Sequence, residues 1–364
     1  MPLTLICLIA LIFSVWYVPF RFKRLGTLKR SLPLGAIAAA LLAAYIILLA
    51  KGFYLANNLA AAWSYNALGL FFVFWIYLFF LLLITNLLAL LIKKLPGKHA
   101  AYSAIVISLA LVVFGFFKAL SFSVTEIEIA VPKLTQEVTI VHIPDVHLGA
   151  QRGEGRVIKI VETINSLNPD IVVYNGDIAD SNIALSPKIF EHFKKVKAKQ
   201  YFTTGNHEFY IDTEKLLKLV EQASIKILRS EMVETNGLQL IGLEYMNADR
   251  QTYDAHMVNN LTIEEELPKI TRSPSLPTIL VHHSPVGLKY VSIGKIDLIL
   301  SGHTHAGQFF PGTLIIPFRF PMYKGKYQIG PTTLLVSQGA GTFGPWMRLG
   351  TFNEIQLVRL IPQK

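Results

Sequence analysis

The chain has 364 residues, of which 52% are hydrophobic, and it carries a formal net charge of +10. Ten of its 34 basic residues lie in residues 1–121, which contain no Asp or Glu, so residues 122–364 hold 24 basic and 24 acidic side chains. A nucleic-acid-binding protein would carry its basic excess on a folded domain, so no nucleic-acid partner is expected. The single cysteine, Cys7, excludes a disulfide within the chain and a cysteine-based metal site.

Four uncharged stretches in residues 1–121 predict transmembrane helices. Each is long enough to cross a hydrocarbon core about 30 Å thick as an α-helix. Two alternatives are weaker. Buried helices of a soluble core would not follow one another without one acidic residue, and a signal peptide would carry basic residues before its apolar stretch rather than after it. The predicted helices span about residues 3–20, 31–50, 67–92 and 100–120.

The short loops between these helices predict how the chain is oriented in a cell membrane. Basic residues favour cytoplasmic loops, and they follow the first and third helices, whereas the loop after the second holds only Lys51. We therefore expect a multi-pass protein whose residues 122–364 lie outside the cytoplasm, although Lys118 near the end of the fourth helix counts against this orientation. The basic loop residues are Arg21, Lys23, Arg24, Lys29 and Arg30 after the first helix, and Lys93, Lys94 and Lys98 after the third.

Residues 122–364 have the pattern of an α/β domain. Short apolar runs such as Val138–Ile143 and Ile171–Tyr174 predict strands, and Gly155–Leu167 carries apolar residues at helical spacing. Strands and helices alternate in the first half of this region, and strands predominate in the second half. This order predicts two packed β-sheets flanked by helices rather than one doubly wound sheet.

Metal-type side chains follow five of the predicted strands, at the point where each strand ends. Gly302, His303, Thr304 and His305 follow the apolar run Ile296–Leu300, and neutral imidazole suits Zn, Mn and Fe. Any one of these groups has an ordinary explanation, because surface His pairs and Asn-Gly-Asp turns are common. Five such strand ends in series predict one metal site, because the carboxyl ends of parallel strands share one edge of a sheet. The other four groups are Asp145 and His147; Asp177; Asn206, His207 and Glu208; and His282 and His283.

The ordered set Asp-x-His, Gly-Asp, Gly-Asn-His-Glu, His-x-Pro and Gly-His-Thr-His resembles the calcineurin-like metallophosphoesterase superfamily over residues 136–360. Gly302–Gln308 and Gly339–Gly350 are similar to segments of its membrane-associated bacterial branch, related to YkuE and YaeI. The resemblance implies a four-layer αββα sandwich with a two-metal centre, in which His283 is preferred to His282 because it gives the His-x-Pro spacing. The implied ligands are Asp145, His147 and His305 for the first metal, Asp177 as a bridge, and Asn206, His283 and His303 for the second.

Two divalent transition metal ions, chosen from Mn, Fe and Zn, suit these mixed nitrogen and oxygen ligands better than Mg or Ca. Two cations about 3.5–4 Å apart neutralise a phosphate ester and lower the pKa of water.

His207 follows the ligand Asn206 and is the candidate general acid for the leaving oxygen. Glu208 is either its orienting partner or a surface residue. Asn175 and Arg348 are candidates for contacting phosphate oxygens, with a structural role as the alternative for each.

The predicted function is a membrane-anchored, binuclear-metal-dependent phosphoesterase that hydrolyses phosphomonoesters or phosphodiesters, with residues 1–121 as the transmembrane region and residues 122–364 as the catalytic domain. A second hypothesis is a hydrolase of the same fold that acts on a lipid pyrophosphate or a phospholipid head group at the bilayer surface. A third is a membrane sensor that binds metal without cleaving, but the complete ligand set argues against it. Transport is not favoured, because Asn86 alone makes no polar path through the predicted helices.

Overall fold

A computed structural model describes residues 2–50, 58–92, 97–149, 152–251, 259–293 and 295–363. The predicted loop residues Lys51, Lys93 and Lys94 lie outside this part of the chain. The chain divides into two compact units. The helical unit comprises Met1–Tyr54, Ala60–Phe117 and Gly344–Met347, and the sheet unit comprises Leu55–Leu59, Lys118–Phe343 and Arg348–Lys364.

The helical unit consists mainly of four long helices. The second, third and fourth are long and apolar enough to cross a membrane. Large apolar side chains such as Leu91 and Phe117 are exposed on them, and helices that are apolar on all faces are typical of membrane spans. The span expected at residues 3–20 falls in the first helix, which is not one of these three, so the count of four spans stays a prediction. The helices are α1 (Pro2–Arg24), α2 (Leu32–Ala50), α3 (Leu59–Ile92) and α4 (Gly97–Leu120).

The sheet unit is an α/β structure with two six-stranded sheets. The strands of the first sheet are β1 (Ser123–Val131), β2 (Val138–Ile143), β3 (Ile171–Asn175), β4 (Lys199–Thr203), β5 (Lys226–Ile227) and β12 (Glu354–Pro362). They lie in the order β1-β12-β2-β3-β4-β5. Strands β2, β3, β4 and β5 are parallel to one another, and β12 is antiparallel to β2. The carboxyl ends of β2, β3 and β4 therefore share one edge.

The second sheet has the same number of strands and a similar parallel centre. Its strands are β6 (Glu231–Thr235), β7 (Leu238–Gly242), β8 (Thr278–Val281), β9 (Leu298–Ser301), β10 (Gly325–Ile329) and β11 (Thr332–Val336). They lie in the order β10-β11-β9-β8-β7-β6, with β7, β8, β9 and β11 parallel and the outer strands antiparallel. The helices of this unit are α5 (Glu154–Leu167), α6 (Pro187–Phe190), α7 (Thr213–Gln222), α8 (Ile263–Glu266), α9 (Leu288–Ile293) and α10 (Gly312–Arg319).

One hydrophobic core lies between the two sheets, and each sheet has a second core on its outer face. Because successive side chains of a strand point to opposite faces, Ile140 of β2 lies in the central core and its neighbour Val141 packs against α5, α6 and α7. Leu240 and Ile241 of β7 divide in the same way, with Ile241 packing against α8 and α9. Burial of each such side chain stabilises the fold by about 1.5–3 kcal/mol. The packing of these cores fixes the strands, and the loops at their carboxyl ends carry the polar side chains described next.

Candidate metal centre

Polar side chains from five strand ends converge in the sheet unit. They come from the loops after β2, β3 and β4 in the first sheet and after β8 and β9 in the second. Among the described residues they form three groups, in each of which the possible ligand atoms lie within 4.8 Å of one another. The groups are Asp145, His147 and His305; Asp177, His283 and His303; and His147, Asp180 and His207. Six of the seven predicted ligands belong to the first two groups.

The first group brings one carboxylate and two imidazoles together. From Asp145 Oδ1, the distance is 3.4 Å to His305 Nε2 and 3.8 Å to His147 Nε2. The two Nε2 atoms are 2.9 Å apart. All three side chains are buried, and the His303 backbone N–H donates to Asp145 Oδ2 at 3.0 Å, which fixes the carboxylate. Such a donor set suits a divalent transition metal ion.

Asp177 lies between the first group and the second. Its Oδ2 is 3.1 Å from His283 Nε2 and 3.9 Å from His147 Nε2. Its other oxygen, Oδ1, accepts the backbone N–H of His207 at 2.9 Å. His283 Nε2 is also 3.7 Å from Asp145 Oδ1. Each of the two carboxylates therefore faces ring nitrogens of both groups.

Asn206 Oδ1 is a buried atom without a hydrogen-bond partner, whereas His283 Nε2 lies 3.1 Å from Asp177 Oδ2. His283 Nδ1 lies 2.7 Å from the Asn175 carbonyl oxygen, and donation of its proton there leaves Nε2 to face the carboxylates. Leaving a buried acceptor such as Asn206 Oδ1 unsatisfied costs about 1–3 kcal/mol, and a bound cation would offset that cost. The residues present therefore fit a metal ion.

His282 differs from His283 in its hydrogen bonds. Its Nδ1 is 2.7 Å from the Ser284 carbonyl oxygen, and the Met246 backbone N–H donates to its Nε2 at 3.4 Å. Both ring nitrogens of His282 are therefore in use, whereas His283 presents Nε2 to Asp177. This contrast favours the choice of His283 made from the His-x-Pro spacing.

Buried charges of both signs set the electrostatics of the two groups. Burial opposes ionisation of Asp177, but His283, His207 and His147 outweigh burial and hold its pKa well below the usual range. At Asp145, burial dominates and raises the pKa. Burial would lower the pKa of His283, but Asp177 and Asp145 raise it to about 10. Carboxylates that attract a proton to this nitrogen also attract a metal cation there.

The backbone at the site adopts an unusual conformation. Five of the seven predicted ligands have φ in the left-handed region, which costs about 1–2 kcal/mol for a residue with a side chain. Such strain concentrates at functional sites. Glycines adjoin the ligands for a steric reason, since a Cβ at Gly302 would overlap the Asp145 carboxylate and one at Gly205 would overlap Asp177. The φ angles are 56° at Asp145, 52° at His147, 52° at Asp177, 70° at His303 and 48° at His305.

His207, in the loop after β4, lies beside two carboxylates of the loop after β3, those of Asp177 and Asp180. Its Nδ1 is 2.8 Å from Asp180 Oδ1, and its Nε2 is 3.9 Å from Asp177 Oδ2. Burial opposes the charged form of His207, but Asp177 and Asp180 outweigh burial and raise its pKa to about 9. The Phe343 ring packs edge-on against the imidazole, with centroids 5.2 Å apart. His207 is therefore a buried cationic histidine that faces the metal-type residues.

Asp180 is a site residue that the sequence interpretation missed. Its Oδ1 is 2.5 Å from His147 Nδ1, besides its contact with His207. It can therefore orient a predicted metal ligand and the candidate general acid at once. The sequence does indicate this residue, because Asp180 follows Asp177 by three residues in the same loop after a predicted strand.

Glu208 has neither of the two roles considered for it. Its side chain is fully buried, so it is not a surface residue. Its carboxylate accepts backbone N–H groups from Gly205 at 2.6 Å and from Asp177 and Ile178 at 2.8 Å each. It therefore ties the loop after β4 to the loop after β3, and Asp180 is the residue in contact with the His207 ring.

Asn175 and Arg348 are fully buried rather than exposed to a substrate. The Asn175 amide donates to the Leu300 carbonyl at 2.9 Å and lies 3.0 Å from His142 Nε2. Arg348 donates to the His305 carbonyl at 2.9 Å and lies 3.2 Å from His305 Nδ1. Both arrangements favour the structural alternative over contact with phosphate, and Arg348 positions a predicted ligand.

Comparisons with known proteins agree with this geometry. A model of the calcineurin-like phosphoesterase family matches residues 138–307, which include every predicted ligand. An uncharacterized metallophosphoesterase of Helicobacter pylori (strain ATCC 700392 / 26695) is 32% identical over 255 residues, which are 68% of this chain and 67% of the relative. A transmembrane protein with metallophosphoesterase domain from Danio rerio is 31% identical over 318 residues, which are 80% of this chain and 71% of the relative. An uncharacterized metallophosphoesterase of Aquifex aeolicus (strain VF5) is 32% identical over 63% of this chain and 87% of its own length.

Proposed function

The chain belongs to the calcineurin-like phosphoesterases and is therefore a metal-dependent phosphoester hydrolase, and we propose that it acts as a membrane-anchored phosphoesterase with two metal ions per chain. The observation that carries the proposal is the position of Asp177, whose Oδ2 lies within 3.9 Å of ring nitrogens in both ligand groups. The three membrane-capable helices and the transmembrane relative support the anchor. The family's four-layer αββα sandwich is consistent with two sheets that carry helices on their outer faces.

The proposed ligand assignment follows the two groups. Divalent metal ions bound there would neutralise the phosphate ester and lower the pKa of water. Mn, Fe and Zn fit the nitrogen-rich donor set. The first ion would be held by Asp145, His147 and His305, the second by Asn206, His283 and His303, and Asp177 would bridge them.

The chain's own residues supply the proton for the leaving group in this proposal. Asp180 holds the Nδ1–H side of His207, which leaves the Nε2–H to be donated. As the phosphorus–oxygen bond of the ester breaks, that proton passes to the leaving oxygen, and water supplies the new oxygen on phosphorus. Phe343 packs against the imidazole and keeps its orientation. His207 is thereby the catalytic residue that we assign.

Replacement of His207 tests this role. We expect His207→Ala to keep its metal ions and to lose about 10²–10⁴-fold in kcat/KM on an alkyl phosphate, the range for loss of a general acid. The loss should be much smaller on p-nitrophenyl phosphate, whose leaving group hardly needs a proton. His192→Ala removes a histidine that pairs with Glu154 outside the three groups and serves as the control. Equal losses on both esters would show that His207 is not the proton donor.

The substrates proposed are phosphomonoesters or phosphodiesters, with a lipid pyrophosphate or phospholipid head group as the second candidate. Phe343 is 38% exposed and packs against His207, and an exposed apolar side chain at that position favours the lipid candidate. The basic loops favour a catalytic domain outside the cytoplasm, as for Arg21, Lys23 and Arg24 at the end of α1. A sensor without catalysis is not favoured, because proteins that lose catalysis usually lose metal ligands, and none is missing from the predicted set of seven.

A further inference from the structure

Helix α10 exposes apolar side chains that the fold does not use. None of its residues is buried. Phe318 is 82% exposed and Leu314 is 61% exposed, and their spacing of four residues puts them on one face of the helix. Among the described residues between 121 and 363, the other large apolar side chains exposed to more than a third are Phe343 at 38% and Val124 at 37%. Apolar exposure in this range is therefore concentrated on one helix.

This helix is attached to the metal-site loop. The Phe320 ring, directly after α10, packs edge-on against the His303 ring with centroids 5.5 Å apart. The Thr304 hydroxyl donates to the Tyr323 carbonyl at 2.6 Å. At the start of the helix the backbone of Gly312 approaches Gly307 so closely that a Cβ on either would overlap the other. Helix α10 is therefore fixed next to the loop that carries His303 and His305.

Phe343 is hydrogen-bonded to the loop that leads from the metal-type residues to α10. Its backbone N–H donates to the Gln308 side chain at 2.8 Å, and the Gln308 amide donates to the Phe343 carbonyl at 2.8 Å. Gln308 is four residues before α10 and three after His305. Three of the four exposed apolar side chains therefore belong to segments that hold His207 and the Gly-His-Thr-His loop.

The charged side chains in α10 and in the segment directly after it are all basic. Arg319, Lys324 and Lys326 are exposed at its end and just after it. The sequence contains no Asp or Glu between Asp297 and Glu354. Exposed apolar side chains beside basic ones in the same stretch of chain are the pattern of a helix that lies in the interface of an anionic bilayer.

We propose that α10 docks on the lipid bilayer, with Leu314 and Phe318 among the acyl chains and the three cations at the headgroups. This inference rests on the proposed membrane anchor, since an attached bilayer is present at high effective concentration. Docking holds the metal site at the level of the headgroups, where phosphate esters of amphiphiles lie. A protein partner or a second copy of the chain would also cover an apolar face, but neither explains as directly why the charged side chains in and after α10 are all basic.

A fluorescent label on α10 tests the docking without any need for catalysis. The full chain carries one cysteine, so Phe318→Cys in a Cys7→Ser background accepts a single NBD label, and Leu314→Cys gives a second position. Each labelled protein is placed in nanodiscs of phosphatidylcholine and phosphatidylglycerol, with or without doxyl-labelled lipid. Lys218→Cys on α7, also exposed and in the sheet unit, is the matched control.

We expect the labels at positions 314 and 318 to emit at shorter wavelength than the label at 218 and to be quenched by doxyl lipid. Emission and quenching equal to those at position 218 would overturn the proposal. A blue shift without quenching would also overturn it, because a protein surface rather than lipid would then cover α10. Loss of esterase activity in His207→Ala leaves these spectra unchanged, so failure of the catalytic proposal is recognised separately.

Discussion

Asp180 offers the sharpest perturbation of the site, because one of its oxygens contacts two histidines. Its Oδ1 lies 2.8 Å from His207 Nδ1 and 2.5 Å from His147 Nδ1. Asp180→Asn replaces the carboxylate by a neutral amide of the same shape, so the packing is kept and the charge is lost. Asp180 is one of the two carboxylates that raise the pKa of His207 to about 9 against the effect of burial, so the variant should lower that pKa.

The size of the effect follows from the contact distance. An opposite charge within hydrogen-bonding range shifts a pKa by about 1–3 units. A proton donor must carry its proton, so activity is present below the pKa of His207 and is lost as the pH rises through it. The alkaline fall in kcat/KM should therefore begin about 1–3 pH units lower in Asp180→Asn. At a pH above both values, the rate should be about 10–10³-fold lower than in the wild type, since each unit is tenfold.

The assay is a pH–rate profile on an alkyl phosphate with saturating metal, because Asp180 also touches the predicted ligand His147. Metal content is measured for each preparation, since loss of such a supporting partner weakens metal binding by about 10–100-fold. The profile of p-nitrophenyl phosphate, which hardly needs the proton, serves as the control. An alkaline limb at the same pH in wild type and Asp180→Asn, with equal metal content, would refute the assignment of Asp180 as the partner of His207.

Three further predictions follow from contacts and from charge distribution. Glu208→Gln leaves one side-chain oxygen where three backbone N–H groups need acceptors. The free energy of unfolding of the sheet unit should therefore fall by at least about 1–3 kcal/mol. An unchanged thermal midpoint would contradict this prediction. Arg348→Lys should weaken metal binding rather than raise KM, since Arg348 contacts His305 and not a substrate surface; a KM effect alone would count against it. Alkaline phosphatase fused after Val131 should be active and a fluorescent protein fused there should be dark, and the reverse would invert the orientation.

That these residues lie together could be predicted from the sequence, because chemically distinctive side chains follow the ends of apolar strands. An apolar run such as Ile296–Leu300 followed by Gly-His-Thr-His predicts both where the strand ends and which side chains lie in the loop after it. Parallel strands then bring such ends to one edge, and the structure puts six of the seven ligands in two groups. Residue type and position after a parallel strand together predict which side chains lie close to one another.

The supporting residues were harder to predict because residue type does not say which neighbour a carboxylate meets. Glu208 and Asp180 are both acids near His207, and only the fold shows that the first binds backbone N–H groups and the second binds the imidazole. Helix α10 and strand β10 were missed for another reason. Neither buries a side chain fully, so neither shows the pattern of a buried apolar face opposite a polar outer face, and Pro317 inside α10 argues against a helix.

The metal content of the protein and of Asp177→Ala tests the central claim most directly. The full chain, purified without chelators and reconstituted with Mn, Fe or Zn, is analysed for metal per chain alongside its esterase activity. We predict close to two ions per chain in the wild type, and loss of both ions and of activity in Asp177→Ala, because the Asp177 carboxylate faces ring nitrogens of both ligand groups. A fully active wild type with a single tightly bound ion, or an Asp177→Ala variant that keeps both ions, would contradict it.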